Sequence, residues 1–398
     1  MSDILSQGGD RDPGPWRRRA VVIAAAAVVA VLAVLDLPRH QHPVARPHAQ
    51  SASPAPVTLV PSGAGPSGPG GVSGLAMPPS GGLRLPVTGP EPAWLRPATG
   101  RATPILGLPP HQAGYQFTRV AGGWAVQADP GGHARCGSCA GPRVPVYFLA
   151  DGAPSARRVG AADDVAPGAS ARALWLTSFP PGTDMSSTPG TAQEITVAGA
   201  TMGSPVRLPA GYVIDRATAR GLLLAPVAQP GTAVYRLWDP AAAGAGRSFS
   251  SVMAASARQV AWVTGCDPLC HVRVLDLVTG RQNAIALPGG SSAVNGAFSP
   301  DGKFLALQVS SVSRGDGGAL AMQLDVARMA RSHLVLVPGT QVSSDALVGF
   351  GWPARGDDLV AELSFLTKVQ VTSWHPGAHQ LAVAVIRPGA QSGALILR

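Results

Sequence analysis

Charge is scarce in this chain of 398 residues. Asp, Glu, Lys and Arg together make up only 13%, and aromatic residues only 5%. Lysine is confined to Lys303 and Lys368, so almost all positive charge is arginine. With so much Ala, Gly and Pro, that choice reads as the codon bias of a GC-rich gene rather than a nucleic-acid signal. The formal net charge of +9 is spread along the chain without a basic run in its later part, so no nucleic-acid interface is expected. Linear catalytic signatures are missing too. No GxSxG elbow, HExxH helix, P-loop or GxGxxG ahead of a helix occurs, and no catalytic residue, metal site or cofactor is assigned.

What is present begins with one apolar run. Ala20 to Leu35 is sixteen residues without a polar side chain, and Asp36, Leu37 and Pro38 close it. A helix over 20–37 would reach about 27 Å, close to the ~30 Å hydrocarbon core of a bilayer. Arg17, Arg18 and Arg19 precede it, with Trp16 at interface depth. The positive-inside rule therefore puts 1–19 in the cytoplasm and everything after residue 37 outside, as a single-pass cell-membrane protein. A cleaved signal peptide shares the basic and apolar regions, but no small-x-small site directly follows Leu35; the first candidate lies near Ala49. Both readings export the rest of the chain.

Residues 38–100 are rich in Pro, Gly, Ser and Ala, as in PSGAGPSGPGGVSG, and read as a disordered tether. His40, His42 and His48 at its start read as solvated side chains rather than metal ligands. From Arg101 to Arg398 the pattern changes. Six apolar bursts centre near Trp124, Trp175, Leu223, Trp262, Leu305 and Leu359. Their spacing of roughly 40–50 residues, with several short strands per period, is that of β-propeller blades. The fold expected is therefore all-β, a six-bladed propeller, or a seven-bladed one if 82–110 supply strands.

The clearest period runs through AVNGAFSPDGKFLALQVSS, GALAMQLDVAR and SHLVLVPG, which read as four strands. In Ser299-Pro300-Asp301-Gly302, proline presets one corner, aspartate bonds the local backbone and glycine takes a positive φ. FSPDGKFLA resembles the repeat of TolB-type, WD40-like bacterial β-propellers. The resemblance spans residues 101–398 and implies a fold, not an activity. Unlike TolB itself, the chain shows no α/β domain ahead of the propeller and reads as tethered to a membrane, so TolB's partner is not carried over.

Four cysteines stand in two close pairs, Cys136/Cys139 and Cys266/Cys270. Outside the cytoplasm such pairs oxidise, so two local disulfides are expected. Each pair follows a second strand, placing them in equivalent loops of the first and fourth periods, opposite each other in a six-bladed ring. That separation argues against a zinc site shared by all four thiolates. CGSC lacks the following helix that a thioredoxin-type thiol needs. Asp357-Asp358 and the His375/His379 pair flanking Pro376-Gly377 read as solvated hairpins, and the tryptophans as inter-blade core.

Together these features point to a membrane-anchored extracytoplasmic propeller. Its expected role is a non-enzymatic binding or scaffold module for an envelope protein or wall polymer. A hydrolase or lyase whose active site is scattered around the channel is the alternative, because such a site leaves no linear motif. A sensor would need a membrane partner, since nineteen cytoplasmic residues hold no signalling domain.

Overall fold

In the computed structural model the described residues are 84–386, with breaks at 88–90, 97–100, 111, 113, 130–138, 171, 228–233, 243–245, 265–268, 313–319, 344–346, 353–357, 366–367 and 377–379. The expected membrane segment, Arg17 to Arg19 and the tether before residue 84 lie outside them. Among the described residues no helix is long and apolar enough to cross a membrane.

The chain is a β-propeller of seven antiparallel sheets, each built from one consecutive stretch of sequence. Blades 1 to 7 occupy 85–104, 114–162, 164–207, 212–250, 252–286, 291–343 and 347–386. Blade 1 has three strands, and blade 6 adds the short strand Val342–Ser343 to its four-strand path. The expected count of six therefore becomes seven. Leu85–Val87 and Ala93–Arg96, inside the stretch expected as tether up to residue 100, join Arg101–Pro104 in the additional sheet, so 82–110 does supply the strands that the seven-bladed alternative required. Short strands broken by Pro and Gly carry little periodic signal. Packing decides instead, since Trp94 is buried and its Nε1 donates to the Ala153 carbonyl of blade 2 at 2.7 Å.

All six expected bursts prove to be second strands. Gly123–Asp129, Ala173–Ser178, Gly221–Pro226, Gln259–Thr264, Phe304–Val312 and Leu359–Phe365 each sit one place out from the channel. Such a strand has a neighbouring blade on either face, so both alternating sets of side chains are buried and the sequence reads as continuously apolar. Leu222 and Leu224 pack into the seam with blade 3, whereas Leu223 between them packs into the seam with blade 5. Leu305 and Leu307 likewise face blade 5, and Ala306 faces blade 7. The core is thus a series of seams, one for each of the six consecutive blade pairs. Trp124, Trp175, Trp262, Trp352 and Trp374 are buried in them, as expected. Trp352 also stacks on Phe304 across a seam and donates to the Ala297 carbonyl at 3.0 Å.

The Ser299–Gly302 turn has the geometry its residues demand. Gly302 has φ +72°. Its amide donates to the Ser299 carbonyl at 2.9 Å. The Ser299 hydroxyl donates to Asp301 Oδ1 at 2.7 Å and accepts from the Phe304 amide at 2.9 Å. Burial pulls the Asp301 carboxyl upward, but the Lys303 ammonium and amide and the Ser299 hydroxyl outweigh it and hold the group at about 2.

A carboxylate held below its unfolded value stabilises the fold above the unfolded pKa and loses that contribution as pH falls through the folded one. Asp301 should therefore contribute about 1 kcal/mol above pH 4, after allowance for solvent screening, and lose it between about pH 4 and pH 2. Denaturation of Asp301→Ala against the wild type across that range checks this; equal stability at pH 6 would contradict it. Gly302→Ala should cost about 1 kcal/mol or more, because its φ is positive and an added Cβ would lie 2.9 Å from Gln259 Oε1.

Candidate functional site

In every four-stranded blade the first strand is an edge of the sheet, and the first strands of blades 2 and 3, 3 and 4, and 5 and 6 meet around the channel. Asp164–Pro167 lies against Tyr212–Thr218, and Val252–Ala255 against Ser291–Phe298. Val252–Ala255 and Tyr212–Thr218 make no comparably close approach. With the strands of each four-stranded blade lettered A to D in chain order from the channel outward, the antiparallel path puts the A–B and C–D turns on one face of the ring. The B–C loops and the links between blades lie on the other.

The inner strands of blades 4 to 7 share an irregularity. Each carries one extra residue against its second strand: Asp215, Met253, Val294 and Val348. A bulge re-aims the side chains beside it and recurs where strands line functional sites. The residue after each bulge is directly paired with a second-strand residue and shares its face, toward the next blade. These pairs are Arg216 with Leu223, Ala254 with Ala261, Asn295 with Gln308, and Gly349 with Glu362. Three of the four pairs place a polar group at the inner end of a seam. A side chain on Gly349 would meet nothing within 4 Å, so the space beside Glu362 is open.

Arg216 is the cation of this girdle. Its Nε is sealed from solvent and has no hydrogen-bond partner, while 31% of the whole side chain is exposed. The guanidinium is thus sunk in protein but open on one side. Its nearest carboxylate oxygen, Asp215 Oδ2, lies 3.8 Å from Nε, too far for a hydrogen bond. Burial pulls its pKa down and Asp215 opposes that. No motif marks Arg216, since one arginine in a strand has no linear signature.

The two faces of the ring differ in charge. On the face of A–B and C–D turns, one set of arginines lashes consecutive blades together. Arg84 donates to the Gly152 carbonyl, Arg157 to Val197 at 2.7 Å, and Arg220 through Nε to Leu277 at 2.7 Å. A second set, Arg172, Arg258, Arg281 and Arg331, is exposed on the same face and makes no side-chain hydrogen bond within the described structure. The acids there are engaged locally. Asp151 pairs with Arg119, Asp276 caps the Val278 and Thr279 amides, and Asp358 pairs with His375. On the opposite face Asp129, Asp163, Asp164 and Asp184 balance Arg143, Arg207 and Arg273. Burial raises the Asp163 carboxyl, and the Phe179 amide and Arg143 only partly offset it.

The cysteine loops do occupy equivalent B–C positions, but in blades 2 and 5 of seven. They are not opposite, because a ring with an odd number of blades has no opposite pairs. Cys139 and Cys270 are not free thiols, and Cys136 and Cys266 lie outside the described residues. Cys139 forms an isolated bridge with Asp184, and the Ala140 amide donates to the Thr183 carbonyl at 2.9 Å, so this loop is stitched to the B–C loop of blade 3. His375 Nδ1 sits 2.8 Å from Asp358 Oδ1, and the Ser373 hydroxyl reaches Asp358 Oδ2 rather than the imidazole. That hydroxyl is therefore not placed as a base-activated nucleophile. Asp357 and His379 lie outside the described residues.

No protein-family model and no curated protein matches the chain. Among solved structures it is similar to TolB from Acinetobacter baumannii, at 12% identity and TM-score 0.42, over 80% of this chain and 66% of that one, just short of two thirds. It is also similar to a putative TolB from Agrobacterium tumefaciens, at 13% identity and TM-score 0.35, over 59% and 87%. A prolyl endopeptidase structure matches at 12% and 0.46, over 75% and 47%. Such faint likenesses decide nothing about activity, and the propeller rests on its own seven sheets and six seams.

Proposed function

We propose that the chain is a membrane-anchored, extracytoplasmic binding module whose arginine-bearing face docks an acidic partner, either an envelope protein or a wall polymer. The observation that carries this reading is the uneven charge of the two faces. Arg172, Arg258, Arg281 and Arg331 are exposed on one face without serving the lashings between blades. Basic groups gathered on a rigid surface raise the encounter rate with polyanions and acidic proteins, in a salt-dependent way. Arg84, where the described chain begins, lies against the C–D turn of blade 2 on this same face.

The partner reading is tested by photo-cross-linking in the native envelope from position 281. The triple variant Arg172→Glu, Arg281→Glu, Arg331→Glu should lose at least tenfold of the cross-linked product, and salt should weaken the wild-type product. Undiminished capture by the triple variant would refute docking through this face.

Membrane topology is tested separately. A reporter active only in the cytoplasm, fused after Arg398, should stay silent; strong signal would reverse the orientation read from Arg17 to Arg19. The cysteine pairing, proposed as Cys136–Cys139 and Cys266–Cys270, is read by mass spectrometry of unreduced digests. Each pair should be linked within its own peptide, and a cross-link between the two loops would sink the assignment.

A further inference from the structure

We propose that the inner end of the seam between blades 4 and 5 is an oxyanion-binding site, with the Arg216 guanidinium as its fork and a small carboxylate- or phosphate-bearing molecule as its ligand. This site is separate from the basic outer face and does not depend on the docking role.

Three observations carry it. First, Arg216 is charged and sunk in protein, yet it has no hydrogen bond to any described residue, and its Nε is neither solvated nor partnered. Leaving buried donors unmet is costly, and a guanidinium offers five in a planar fork that matches carboxylate and phosphate. Asp215 is in ion-pair range only, at 3.8 Å, and being next in sequence it does not close over the fork. Second, the seam leaves room there. Arg216 shares its face with Leu223, which packs toward blade 5, but the inner strand of blade 5 does not approach that of blade 4 as the inner strands of blades 3 and 4, or of blades 5 and 6, approach each other. The equivalent position in blade 5 is Ala254, which is buried in a tight apolar seam with blade 6. Third, a bulge like that at Asp215 recurs in the inner strands of blades 5, 6 and 7, two to four paired residues ahead of the following turn, so the backbone that aims Arg216 is a repeated device of the inner ring.

A ligand that binds only the folded protein stabilises it in a saturable way. The test is thermal unfolding and titration calorimetry of the purified full chain with inorganic phosphate and with citrate, against chloride at matched ionic strength. A saturable rise in Tm and a heat of binding are expected with at least one of the two anions. Whichever acts names the ligand chemistry: phosphate alone points to phosphoryl ligands, citrate alone to carboxylates. Arg216→Met should abolish the response, and Arg207→Met, exposed on the face opposite the docking arginines, should keep it. Arg216→Lys keeps the charge without the fork and should weaken binding at least tenfold, which preserves the test if the Met variant folds poorly. No saturable response to either anion, or a response that survives Arg216→Met, would overturn the site and leave an ionic-strength effect only.

Discussion

Everything in this molecule depends on burying both faces of the second strand in each blade. A sheet that buries one face needs one partner; here each interior sheet has a neighbour on either side, and the hydrophobic effect acts across both. The contribution of one such strand is divided between two seams by simple alternation, as Leu222, Leu223 and Leu224 illustrate. Trp352 shows how a seam gains direction as well as area. It stacks on Phe304 and donates to a backbone carbonyl of the preceding blade, so the two sheets are fixed in angle and in register.

That same constraint makes the fold nearly one-dimensional. Every sheet is assembled from consecutive residues, and none combines strands from the two ends of the described chain. Blades therefore contact mainly their neighbours in sequence, as repeats in a solenoid do. The arginine lashings follow the same rule, each running from one blade to a turn of the next. Function is free to vary where the seams impose nothing: at loop tips, on the outer turn face, and at the inner strand edges.

Legibility in the sequence tracks these demands. A strand buried on both faces leaves an uninterrupted apolar burst, so the second strands at Trp124, Leu223 and Leu305 were visible, and the Ser299–Gly302 turn announced itself through residues that its dihedrals require. Blade 1 was legible only as an alternative, from possible strands within 82–110, because its strands are three or four residues long and punctuated by proline, and its burial hinges on the tertiary position of Trp94. Arg216 was hidden for another reason. Its meaning lies in a bulge and in the distance between two inner strands, and neither is a property of neighbouring residues. Face charge was equally invisible until the turns were assigned to one side of the ring.

The described ties of blade 1 to its neighbour set how that blade responds to force. Tension entering ahead of residue 84 falls first on blade 1, whose described polar ties to the remainder include the bonds from Arg84 and Trp94 to the 152–153 turn, backed by its seam with blade 2. Among the described residues no hydrogen-bonded ladder joins blade 1 to blade 7. Arg84 and Trp94 fasten to adjacent carbonyls of one turn, so a rearrangement of residues 152–153 would release both of these polar ties of blade 1 together.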